Sequence, residues 1–221
     1  MSIAELKAKL NTGADRQKAL EMSRYMRGQF PFLGIPREPL RKLAKDWVKA
    51  QDKSVDWEVV NALWREDYRE YQYIALDYLK ARKKHFKAED LDAFYKLITH
   101  KSWWDTVDEL AKDVGRLVKK NKELKDDMVA WSLERPLWVR RVAIIHQLGF
   151  KKKTDTDLLA RIILNNTESE AFFINKAIGW ALRDYSKTDP DWVMAFLKKN
   201  QSRLSTLSIR EAGKYLPDWE G

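Results

Sequence analysis

The chain contains no cysteine. Disulfides, thiolate nucleophiles, Cys-ligated zinc and iron–sulfur clusters are therefore excluded. Histidine is almost as scarce. His85, His100 and His146 stand far apart with no HExxH spacing, so no bound metal is expected. Glycine and proline number only 8 and 6, and alternation of Val, Ile and Thr is nearly missing, so a strand-rich fold is not expected. No apolar run approaches the length of a membrane span. The opening MSIAELKAKL alternates charged with apolar residues and has no signal-peptide core, which leads to the expectation of a cytoplasmic protein that does not engage membranes.

What is present is charge and an apolar periodicity. The 221 residues are 44% apolar and 34% charged, a soluble globular composition with enough length to bury a core. No shift in composition marks a boundary, so a single domain over 1–221 is expected. Forty-two Lys and Arg against 33 Asp and Glu leave a net charge of +9, which favours a polyanionic partner. Apolar residues recur every three or four positions throughout, the period of a helix. The pattern predicts roughly a dozen short helices, with Pro36, Pro136 and Pro190 where helices begin.

A repeat runs through the C-terminal half. WVRRVA (138–143), FINKAI (173–178) and LSIREA (207–212) each open on a bulky apolar residue and reach a cation three positions later. Those cations are Arg141, Lys176 and Arg210, spaced by 35 and 34 residues. EYQYIA (70–75) is a looser copy with Tyr73 at that position. A period of this size predicts an all-α fold, an α-solenoid of HEAT-like helical repeats with the cations along its concave face.

Three segments carry candidate chemistry. In KSWWDTVDELAKDVG (101–115), Ser102 and Asp105 resemble a capping box and predict a helix start. Trp103, Val107, Leu110 and Val114 form its buried stripe, and Trp104 and Asp108 are neighbours one turn apart at the edge of that stripe. In AFFINKAIGWALRDYS (171–186), Ile174, Ile178, Ala181 and Tyr185 supply a core face. Lys176, Trp180 and Arg183 share another, an aromatic among cations as suits a phosphodiester backbone. Gly179 beside Trp180 costs helix stability yet allows close approach. In PLWVRRVAIIHQL (136–148), Arg140 is expected to face solvent. Arg141 is expected against an apolar rim, where a guanidinium holds either a phosphate or an acidic neighbour.

These segments, with RYMRGQFPFLGIP (24–36) and LSIREA (207–212), resemble the AlkD-type DNA alkylation repair family, HEAT-like-repeat DNA glycosylases of bacteria. The likeness spans almost the whole chain in order. It departs at PFLGIPREP, where Pro36 and Pro39 replace residues expected not to be proline. The resemblance implies a C-shaped solenoid with a basic concave groove, acting as a monomer on double-stranded DNA in base excision repair. It implies excision of cationic alkylated purines such as 3-methyladenine and 7-methylguanine, without cofactor or metal and without a base-reading pocket. Residue by residue, it implies that Asp108 is the catalytic carboxylate and that Trp104 and Trp180 contact the sugar. It further implies that Arg141 grips a phosphate, that Arg183 lines the groove with Lys176 and Arg210, and that Tyr25 is an aromatic of the DNA-facing cleft. One carboxylate suffices because a cationic base leaves without protonation, unlike ordinary glycoside hydrolysis. A non-catalytic HEAT-repeat scaffold binding nucleic acid or protein is the rival reading. Asp108 argues against it, because a pure phosphate binder gains nothing from a carboxylate among cations.

Overall fold

The helical period resolves into thirteen α-helices in a computed structural model that describes residues 2–217. No strand occurs among the described residues. The helices fall into two compact units, one running up to Lys87 and the other starting at Ala88.

The first unit contains α1 (Ile3–Asn11), α2 (Arg16–Tyr25), α3 (Arg37–Ala50), α4 (Trp57–Arg65) and α5 (Arg69–Arg82). Buried charge on α5 organises it. Glu70 is fully buried, and its carboxylate accepts the backbone N–H groups of Leu33, Gly34 and Ile35 at 3.0, 2.9 and 3.1 Å. Gly34 is needed in that turn. Its φ is 89°, and a Cβ there would lie 1.9 Å from the carbonyl oxygen of Asp15. At the other end of α5, the Arg82 guanidinium donates to the carbonyls of Val48, Gln51 and Asp52 and so closes the C-terminus of α3. Pro36 is the N-cap of α3 and Pro39 its third residue. Both lie where no intrahelical N–H is required, so the helix accommodates them.

The second unit contains α6 (Leu91–Thr99), α7 (Trp104–Lys120), α8 (Leu124–Trp131), α9 (Leu137–Ile145), α10 (Thr156–Leu164), α11 (Phe172–Ser186), α12 (Pro190–Asn200) and α13 (Thr206–Gly213). α7, α9, α11 and α13 pack side by side in that order, and α6, α8, α10 and α12 lie against them as a second layer. This is the two-helix stacking of an α-solenoid. The anticipated helix starts hold, with Pro136 as N-cap of α9 and Pro190 as first residue of α12. The expected stripes are buried: Val107, Leu110 and Val114 on α7, and Ile174, Ile178, Ala181 and Tyr185 on α11.

Two local expectations are corrected. The N-cap of α7 is Trp103, without a side-chain cap, and Trp103 is half-buried rather than part of the core stripe. Ser102 sits one residue too early for a cap, and its hydroxyl instead donates to the Ile98 carbonyl at the end of α6, at 2.6 Å. Arg140 does not face solvent freely. It is half-buried, and its Nε is enclosed.

Two glycines set the spacing of the first layer. A Cβ on Gly115 of α7 would lie 2.0 Å from the carbonyl oxygen of His146, just past α9. A Cβ on Gly179 of α11 would lie 2.4 Å from Glu211 Cβ and 2.9 Å from the Ser208 carbonyl oxygen of α13. In an open helix, Gly→Ala gains about 1 kcal/mol of propensity. Here overpacking reverses the sign. Gly115→Ala and Gly179→Ala are each expected to lower unfolding stability by about 2 kcal/mol or more, measured by urea titration. Unchanged or raised midpoints would show that the helices separate at no cost.

Candidate active site

The repeat has a strict helical register. Arg141, Lys176 and Arg210 are each the fifth residue of their helix, α9, α11 and α13. Tyr73 is the fifth residue of α5, and the fifth residue of α7 is Asp108. One row therefore carries a carboxylate where the following repeats carry cations.

Side-by-side packing of α7 and α9 brings the first two of these charges together. Arg141 Nε donates to Asp108 Oδ1 at 2.8 Å and Nη2 donates to Oδ2 at 2.9 Å, a bidentate pair. Nη1 donates to the Phe173 carbonyl of α11 at 2.7 Å, so one guanidinium ties three helices. The Arg141 side chain is 5% exposed and that of Asp108 16%. Burial pushes the Asp108 carboxyl above the ordinary carboxylate range, and the Arg141 guanidinium pulls against that rise. A carboxylate has about four lone-pair directions, and Arg141 occupies two. The others remain for a ligand. Trp104, the first residue of α7, lies one turn before Asp108 and is partly exposed.

An aromatic cluster adjoins the pair. Trp103, Trp138 and Phe173 meet in mutual contact with centroid separations of 4.9 to 5.6 Å, and Phe172 packs edge-on against Phe173 at 5.4 Å. The Arg141 guanidinium sits 5.8 Å from the Phe173 ring centroid. Trp138 and Phe173 are the bulky openers of their repeats, so this cluster is legible in the sequence as a pattern though not as an assembly. Phe172 is 57% exposed, an apolar surface beside a charged pair.

The cations of α11 are held by a residue that no sequence motif singles out. Glu211 of α13 is buried, and it accepts from Lys176, Arg183 and Lys214, each at 2.8 Å. Burial alone would push its carboxyl up. The hydrogen bonds from Lys176 and Lys214 outweigh that and hold it at about 2. Only the i, i+3 spacing to Lys214 marks it in the sequence. Lys176, Trp180 and Arg183 are all partly exposed, and Arg210 is exposed. Tyr25 belongs to the first unit, at the end of α2, and is 72% exposed. Among the described residues no group of three or more His, Cys, Asp or Glu is placed to hold a metal ion. Nor is any helix among them long and apolar enough to cross a membrane.

The solenoid thus carries a guanidinium-held carboxylate, with Trp104 one turn before it and cations at the same register of the following helices. Residues 6–216 match the family model described as DNA alkylation repair enzyme, and the chain belongs to that family. It is similar to a solved structure described as a predicted DNA alkylation repair enzyme from Enterococcus faecalis. That likeness has 37% identity and a TM-score of 0.87, over 93% of this chain and 98% of the other. The curated proteins contain no match.

Glu211 gives a pH test. A carboxylate held down to about 2 contributes stability that is full above its unfolded value of 4.5 and is lost as pH falls through 2. Glu211→Gln is expected to remove about 2 kcal/mol at neutral pH and to flatten the acid limb of the stability curve between those values. An unaltered acid limb would mean that the three cations do not hold Glu211 in solution.

Proposed function

We propose that this DNA alkylation repair enzyme is a glycosylase that excises cationic N3- and N7-alkylated purines from duplex DNA. The observation that carries the reading is Asp108, a largely buried carboxylate standing at the register position that later repeats give to cations.

In the reaction, the bond between the sugar C1′ and the purine nitrogen breaks, and its electron pair leaves with the base, which becomes neutral. The sugar becomes cationic, water adds at C1′, and a proton is released. Asp108 stabilises the cationic sugar and orients the water through its two remaining lone-pair directions. Arg141 keeps that carboxylate ionised and aimed despite its burial. Its two remaining N–H groups are the ones a phosphate would take. The faces of Trp104 and Trp180 contact the sugar, where the negative quadrupole of indole favours a developing cation. Lys176, Arg183 and Arg210 contact the backbone along a basic concave groove, with Tyr25 as a further aromatic of the DNA-facing surface. Such contacts are to phosphate, so affinity depends on salt and little on sequence. The protein works as a cytoplasmic monomer without metal or cofactor.

Asp108→Asn separates this reading from a non-catalytic scaffold. Its interaction strengthens only in the transition state, so its loss lowers the chemical rate and spares ground-state binding. Single-turnover release of 7-methylguanine from methylated duplex is expected to fall about 10²-fold or more, with duplex affinity retained. The wild-type rate should also decline with acid at a pH above the ordinary carboxylate range, because burial raises the Asp108 carboxyl. Excision by Asp108→Asn at the wild-type rate would end the assignment, and absence of excision by the wild type would favour the scaffold.

A further inference from the structure

The cations of α11 that face the candidate site are already partnered by Glu211. A denser group of cations without ion pairs lies elsewhere in the second unit. Beyond the C-terminal ends of α7 and α11, a recess of about 710 Å³ is lined by Lys119, Lys151, Lys152, Lys153 and Lys187, with Phe150 at its wall. No carboxylate lines it, and none of these five lysines forms an ion pair among the described residues. All five are exposed.

Two features make this a shaped surface and not a random run of charge. The Lys119 ammonium lies 4.8 Å from the Phe150 ring centroid, and that of Lys187 lies 5.4 Å from the Tyr215 centroid. Aromatic rings thus position two of the stems. The loop that brings the other three lysines in is fixed as well. Gly149 and Lys151 both take positive φ, at 77° and 55°, and the Gly149 N–H donates to Asp184 of α11 at 2.7 Å. Lysines at helix C-termini also offset the helix dipole, but each end carries only about half a negative charge. The C-terminal ends of α7 and α11 therefore cancel about one charge, and most of the five remain.

We propose that this recess is a second phosphodiester-binding site, which grips the backbone of the same duplex away from the lesion. The inference rests on the reading that the chain binds duplex DNA. Lys119 follows Asp108 by eleven residues on α7, and Lys187 follows Lys176 by eleven along and just past α11. At 1.5 Å per residue, both offsets are about 16 Å. A strand running along the axes of α7 and α11 would cover that distance in about five base pairs and reach the recess on one flank of the lesion only.

The test uses the full chain and duplexes carrying one 7-methylguanine. The fourfold variant Lys119→Gln, Lys152→Gln, Lys153→Gln and Lys187→Gln keeps the aliphatic stems and removes the charge. It is expected to bind at least about tenfold more weakly near 0.1 M salt, with the salt slope reduced by about 0.9 per lysine. Its excision rate at saturation should be unchanged. The corresponding Lys→Arg variant should retain affinity, which separates charge from folding. Shortening the duplex to fewer than about five base pairs on one side of the lesion should weaken the wild type, with no such effect on the other side. In the Gln variant that asymmetry should vanish. If wild type and Gln variant bind with equal affinity and slope, the second site is overturned while duplex binding stands. If the wild type does not bind duplex at all, both readings fall.

Discussion

Asp108 stays charged in a nearly enclosed place because a guanidinium meets both of its oxygens. Removing a carboxylate from water costs several kcal/mol, and a single lysine would not compensate with the same geometry. The planar fork of Arg141 does so while spending a third N–H on the Phe173 carbonyl of α11. One side chain therefore sets the charge of the carboxylate, its direction and the spacing of α7, α9 and α11. The aromatic cluster of Trp103, Trp138 and Phe173 adjoins the pair through Phe173, so the ion pair lies beside apolar surface.

Much of this arrangement is legible in the amino-acid order itself. The 34- and 35-residue spacing of Arg141, Lys176 and Arg210 lies on fifth positions of consecutive first-layer helices. The apolar stripes of α7 and α11 follow from the 3.6 period alone. The Asp108–Arg141 pair is within reach too. Extending the register back by one repeat lands on Asp108, and a pair separated by one period is what side-by-side repeats bring together. The intrahelical Trp104–Asp108 neighbourhood is the more conspicuous of the two, because i, i+4 spacing is local and needs no tertiary packing.

What the chain does not disclose is decided by packing. The start of α7 shifts because the Ser102 hydroxyl donates to the Ile98 carbonyl in the last turn of α6 instead of accepting from an N–H of α7. The charge of Arg140 suggests a solvated side chain, whereas the surroundings of α9 enclose it in part. Glu211 looks like one more surface acid. Its burial against α11 follows from Gly179, which lets the two helices approach to backbone distance, and that approach cannot be read from either segment separately.

The two glycine contacts also distribute stiffness along the second unit. α7 is locked to the residue after α9 through Gly115, and α11 to α13 through Gly179, each by contacts too close to slide. No glycine approach of this kind joins α9 to α11 among the described residues. That joint is bridged by side chains, chiefly the Arg141 fork and the Trp138–Phe173 contact. Bending the row of helices around a curved ligand would therefore concentrate at one seam, between two rigid pairs. The Arg141 guanidinium spans that seam, holding Asp108 on one side and the Phe173 carbonyl on the other.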